Sequence, residues 1–189
     1  LPPEQHLYLE GECLHYGEAV AYLPVLGILR SYFGIEEGED QSAARGKIKE
    51  KIGRIDDEKM ENILPPLCEL FSLEVDDRQY MELQPRRRRE LTFEAVRSLL
   101  TRESRTKPLI LAVEDLQWID RTSEEFLAQL IGKLPGAAIM VVLLYRPEYY
   151  RKEVLVHYAD GERRELPATG LAELIVAKHR GGAMGSVLA

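Results

Sequence analysis

Leu109-Ile110-Leu111-Ala112-Val113-Glu114-Asp115-Leu116-Gln117-Trp118-Ile119-Asp120 is the stretch whose reading decides the fold. Its first five residues are an unbroken apolar run, the pattern of a central parallel strand covered on both faces. The run ends in two adjacent carboxylates, Glu114 and Asp115. Lys107-Pro108 separates it from what precedes, because the residue before a proline is held out of the helical region.

Working outward, residues from about Pro85 to Ser104 read as a long amphipathic helix with Phe93, Val96, Leu99 and Leu100 on its buried stripe. Downstream, Thr122–Leu134 reads as a helix, Pro135-Gly136 as a turn and Ala137–Leu144 as a second buried strand. Helix, strand, helix, strand is the order of an α/β protein with a parallel sheet flanked by helices. Further upstream, Leu7–Leu9 looks like the end of a short strand running into a polar loop around Gly11–Gly17. Tyr22–Phe33 carries Leu23, Leu26, Leu29, Tyr32 and Phe33 at helical spacing, with Pro24 suited to its first turn and Gly34 to its end. Asp40 can cap a helix reaching about Ile52, and Asp56 or Asp57 another that ends near Pro65-Pro66. Leu67–Leu73 is a short apolar piece.

The last forty residues change character. Val154–Tyr158 and Arg163–Leu166 flank an Asp-Gly turn and predict a hairpin. Leu171–Lys178 predicts a short helix, and Gly181–Ala189 a loose end. The expected division is therefore a core over residues 1–150 and a small C-terminal extension over 151–189.

The composition suits a soluble globular chain: 189 residues, 45% apolar and 30% charged. A formal charge of −7 gives no global attraction for nucleic acid, and no direct nucleic-acid partner is expected. No apolar run reaches the roughly 18 residues of a membrane span, so no membrane partner is expected either. No signal peptide is visible, and Cys13 and Cys68 read as buried thiols of a reducing compartment, so the expected location is cytoplasmic. Neither cysteine belongs to a CxxC pair, and the four histidines are scattered, which leaves zinc unsupported. Arg86–Arg89 reads as the solvated start of its helix near Glu90 and Glu94. A basic helix start opposes the helix dipole, which leaves a partner surface open there.

Side chains at the carboxyl end of a parallel strand project into the crevice where ligands bind. Two carboxylates there suit Mg²⁺, which takes a few carboxylate oxygens and keeps waters or phosphate oxygens in its remaining positions. One carboxylate can hold the metal's water shell while the other orients the attacking water. A solvated acidic turn would show the same Glu-Asp pair. Trp118 taken alone reads as packing, and Asp120 alone as a helix cap, with Thr122 and Glu125 matching a capping box.

Val113–Asp120, followed by Ser123 and its helix, resembles the Walker B segment of STAND-type P-loop ATPases of the AAA-like branch. The likeness is greatest to the modules beside class III adenylate/guanylate cyclase domains and in large LuxR-type regulators. Cys13–Phe33 is similar to the segment after the family's second strand, and the arginine-rich helix to the one before Walker B. Tyr145-Arg146-Pro147-Glu148 is similar to the sensor-like end of the next strand. The resemblance covers roughly residues 5–150. It implies ATP and Mg²⁺ as ligands, Glu114 as the metal-associated acid, and Asp115 as the acid that polarises water and also belongs to the metal site. It implies Arg146 as a sensor of the γ-phosphate. The order here is Glu-Asp where Asp-Glu is commoner, so the two acidic roles are exchangeable. Neighbouring domains of the same chain, a cyclase, helical-repeat or DNA-binding effector, are the implied partners.

The phosphate-binding motif GxxxxGK[ST] is missing. Around Gly46-Lys47 the earlier glycine position is Gln41, and Ile48 offers no hydroxyl to a metal. The chain begins at Leu1 rather than Met, and the expectation is a piece of a larger ATPase, inactive by itself. Two other readings stand beside it: a non-catalytic interaction module using the helices of residues 40–104, and a Mg²⁺-dependent nuclease or phosphatase using Glu114, Asp115 and Asp120.

Overall fold

A computed structural model of the chain describes residues 5–15, 21–54, 60–132, 137–145, 173–176 and 185–188. Its framework is a sheet that starts with three parallel strands: β1 (Leu7–Glu12), β2 (Leu109–Glu114) and β3 (Ile139–Leu143). Pairing is in register from Leu7↔Leu109 to Glu12↔Glu114, and from Leu109↔Ile139 to Val113↔Leu143. β1 thus runs past Gly11, where the sequence predicts loop, because β2 supplies ladder partners to its last residue.

Between β1 and β2 lie α1 (Leu23–Phe33), α2 (Gln41–Gly53), α3 (Met60–Leu70), the single turn α4 (Arg78–Met81) and α5 (Pro85–Thr106). After β2 come a 3₁₀ turn (Leu116–Trp118), α6 (Arg121–Gly132) and β3. The α/β expectation is met.

One face of the parallel strands makes the core. Leu9, Leu109, Leu111, Val113, Ile139 and Val141 are buried there, beside the predicted α5 stripe of Phe93, Val96, Leu99 and Leu100. Phe93 bridges the helices, meeting Tyr22 edge-on at 6.0 Å and Phe126 at 5.3 Å. The other face of β1 presents Tyr8, Glu10 and Glu12 to solvent, so β1 alternates apolar-in and polar-out although its ladder is parallel.

α1 has the predicted ends. A proline occupies its first turn, and Gly34 closes it at φ 67°, where the Ile35 N–H donates to Arg30 O at 3.0 Å. Its buried face is rotated from the prediction: Pro24, Val25, Ile28, Leu29, Tyr32 and Phe33 are buried, while Leu23 and Leu26 are half-buried. The rotation follows from α1 lying directly on β1 at Gly11. Asp40 caps α2, its carboxylate accepting from Ser42 N–H at 2.9 Å and Ala43 N–H at 3.2 Å.

α3 corrects the sequence reading, since it continues through Pro65-Pro66 to Leu70. Interior prolines each remove a backbone bond and cost about 3 kcal/mol. The apolar face of Ile63, Leu67 and Cys68, buried in the helical layer, offsets that cost. The proposed Asp56 or Asp57 cap lies outside the described residues.

The arginine run at the start of α5 is taken up in ion pairs. Arg87 meets Glu90 at 3.1 Å, Arg88 meets Glu69 of α3 at 2.6 Å, and Arg89 meets Glu125 of α6. Tyr80 of α4 also donates to Glu69. These contacts tie α3, α4 and α6 to α5, and they answer the unfavourable placement of cations at a helix start.

Two C-terminal expectations are corrected. Glu173–Val176, predicted as helix, is strand β4, antiparallel to β3. Gly185–Leu188, predicted as loose, is strand β5, antiparallel to β4. The β-branched residues Ile175, Val176 and Val187 favour extended backbone, and the open edge of β3 provides pairing groups that local sequence does not reveal. The predicted Pro135-Gly136 turn and the 154–166 hairpin lie outside the described residues.

Gly11 yields a direct test. A Cβ placed there would sit 2.3 Å from Pro24 O and 3.0 Å from Ile28 Cγ1. G11A is expected to lower stability by about 2 kcal/mol or more, since the clash is with backbone. Urea unfolding should show a lower midpoint; an unchanged midpoint would mean that α1 does not lie on β1 as described.

Candidate functional site

At the carboxyl end of β2 the two acidic residues take different conformations. Glu114 is the last residue of the strand. Asp115 follows in the left-handed region, φ 52° and ψ 42°, a conformation that Asp tolerates better than most residues. Both side chains are half-buried.

The backbone around them is held from both neighbouring strands. Cys13 N–H donates to Glu114 O at 3.0 Å, Leu144 N–H to Val113 O at 2.9 Å, and Leu116 N–H to Leu144 O at 2.9 Å. The 3₁₀ turn then closes with Trp118 N–H on Asp115 O at 3.0 Å. Asp115 is therefore fixed at its backbone, and its carboxylate Oδ1 accepts from Gln117 Nε2 at 2.6 Å.

Glu12 was not singled out in the sequence. It lies opposite Glu114 in the ladder, on the same face. Its signal is long-range strand register, which a single sequence does not display. Glu10 lies on the same face of β1, where Tyr8 donates to it at 2.9 Å. That bond, with smaller contributions from burial and from the charges of Glu10 and Glu114, raises the Tyr8 phenol above its ordinary value.

Cys13 follows Glu12 and is buried, as its composition suggested. Burial first, then the charges of Asp120, Asp115 and Glu12, push its thiol up to about 12. It stays a protonated, unreactive thiol at neutral pH.

Asp120 is the N-cap of α6. Its Oδ1 accepts from Thr122 N–H at 3.0 Å and Ser123 N–H at 2.9 Å. The cap reading holds, but the capping box does not form as predicted. Glu125 turns away to Arg89 and to Arg121, the latter at 3.3 Å. The cap uses Oδ1 alone; Oδ2 is buried without a hydrogen-bond partner among the described residues, in a residue only 4% exposed. Trp118 packs edge-on against His15 at 5.2 Å and leans on the core, matching its packing reading.

Among the described residues, no three His, Cys, Asp or Glu side chains come together to hold a metal. A closed protein cage is thus not built from these residues. The pair Glu114 and Asp115 offers the open, oxygen-only donor set that Mg²⁺ uses with waters and phosphates. Arg146 lies outside the described residues. Among the described residues, no helix is long and apolar enough to cross a membrane.

A groove of about 400 Å³ lies elsewhere, between α5 and α6, with Phe93 and Phe126 in its lining. Its flanking charges, Arg89 with Glu125 and Arg86 with Glu90, pair with one another.

Two comparisons return nothing: no curated protein and no solved structure matches the chain. Residues 1–142 match the family described as the AAA ATPase domain. That match spans both the parallel strands β1 and β2 and the acidic pair between β2 and α6. The chain belongs to the AAA ATPase domain family, and its three parallel strands with their helices are part of a P-loop, nucleotide-binding ATPase core.

Proposed function

We propose that Glu114 and Asp115 are the metal-and-water half of an ATP hydrolysis site, the Walker B element of a regulatory ATPase module. The observation that carries the reading is their position. Two adjacent carboxylates, half-buried, leave the carboxyl end of the central parallel strand in a chain of the AAA ATPase family. That is where open α/β sheets bind ligands.

Glu114, held in the strand, is suited to the metal's coordination or water shell. Asp115, turned out of the strand line and steadied by Gln117, is suited to orienting the attacking water. Arg146 takes the sensor role towards the γ-phosphate. Mg²⁺ bound with ATP supplies charge neutralisation at the phosphates. In this reading hydrolysis works as a cytoplasmic signalling switch on neighbouring effector domains, rather than as bulk metabolism.

The phosphate cradle is not among these 189 residues, which hold no GxxxxGK[ST]. The nuclease or phosphatase alternative loses support because, among the described residues, no three His, Cys, Asp or Glu side chains come together to hold a metal. At the arginine run, which the interaction-module reading could use, the side chains pair with carboxylates of the same chain while staying largely exposed.

The chain alone is expected to bind Mn²⁺, used as a probe for Mg²⁺, at the acidic pair. E114Q or D115N should weaken that binding about tenfold or more in calorimetric titration, in line with the loss of an essential ligand group. Unchanged affinity in both variants would overturn the reading. The same polypeptide should show no ATP turnover above background, because a carboxylate pair without a lysine and an amide cradle repels the nucleotide. Turnover abolished by D115N would contradict that expectation.

A further inference from the structure

Gln117 touches one of the proposed acids directly: its Nε2 donates to Asp115 Oδ1 at 2.6 Å. A carboxylate can only accept, so the amide nitrogen must be the end that faces it. We infer that Gln117 is the positioning residue of the acidic pair, fixing which oxygen of Asp115 is turned to metal and water. This inference rests on the proposed role of Glu114 and Asp115.

The geometry makes the assignment specific. The backbone on both sides of Asp115 is immobilised by the bonds of Val113 and Leu116 to Leu144 and by the turn bond from Trp118. What remains free is the rotation of the Asp115 side chain. The 3₁₀ turn closes with Trp118 over Asp115, and the Gln117 side chain, two positions on, is long enough to reach back to the Asp115 carboxylate. The amide occupies Oδ1 without adding charge, so Oδ2 is left as the oxygen available to a ligand. A lysine or arginine there would neutralise the acid, and an apolar side chain would leave it swinging. Supports of this kind, which touch the ligand-bearing group rather than the ligand, are known to govern metal affinity.

The test uses the full 189-residue chain with Mn²⁺ as the probe. Q117L and Q117M remove the donor at similar length, and circular dichroism with thermal unfolding identifies which variant keeps the fold. The expected result is Mn²⁺ binding weakened about tenfold with an unchanged unfolding midpoint. In nuclear magnetic resonance spectra, the Gln117 side-chain amide signal should shift on D115N and broaden at sub-stoichiometric Mn²⁺. A residue that merely shapes the turn would change stability and leave Mn²⁺ affinity alone.

Wild-type affinity in a folded Q117L or Q117M, with E114Q and D115N both impaired, would overturn the role of Gln117 and leave the acidic pair standing. Equal affinity across E114Q, D115N and wild type would bring down both. If neither apolar variant folds, the spectra of the wild type and D115N decide. An amide signal indifferent to D115N and to Mn²⁺ would then overturn the inference.

Discussion

Hydrogen bonds from two neighbouring strands hold the last turn of β2, and the rest of the site depends on them. Cys13 N–H reaches Glu114 O from one side, while Leu144 donates to Val113 O and accepts from Leu116 N–H on the other. A strand tip is ordinarily free to fray. Here it is pinned on both edges, so Glu114 leaves the ladder in a defined direction and Asp115 is placed in a left-handed conformation. Backbone held in that region costs of order 1–3 kcal/mol and persists only where surrounding contacts over-determine it.

The packing behind the tip serves the same end. Gly11 lets α1 lie on β1 at a distance that no side chain would allow. α5 spreads Phe93, Val96, Leu99 and Leu100 beneath the strands, and its arginines anchor α3 and α6. Asp120 then starts α6 directly after the turn, and its carboxylate accepts from the helix's first free N–H groups, those of Thr122 and Ser123. A buried strand, an acidic turn and a capped helix follow one another without slack, so burial in the core is transmitted to the position of two carboxylates.

Much of this was legible in the sequence, for identifiable reasons. Leu109–Val113 reads as strand because five apolar residues in a row fit no half-exposed element. The α5 stripe, the Gly34 stop and the Asp40 cap are local patterns that tertiary structure left intact. What the sequence concealed is what depends on distant residues. Glu12 acquires meaning only when β1 pairs with β2 and brings it opposite Glu114. The rotated face of α1 follows from its seat on Gly11. α3 passes through two prolines because burial outweighs their local cost, and β4 exists because β3 offers it an edge. The bond from Gln117 to Asp115 depends on the side-chain directions of the turn, which the sequence does not display.

The central claim is that the acidic pair holds a divalent cation at the carboxyl end of the sheet. Crystals of the chain soaked in Mn²⁺ and measured at the manganese absorption edge test it most directly. The account predicts an anomalous peak within coordination distance of the Glu114 or Asp115 carboxylate, with Gln117 still bonded to Asp115. A peak at Glu10 and Glu12 that reaches neither Glu114 nor Asp115, or no peak while both carboxylates lie open to solvent, would contradict it.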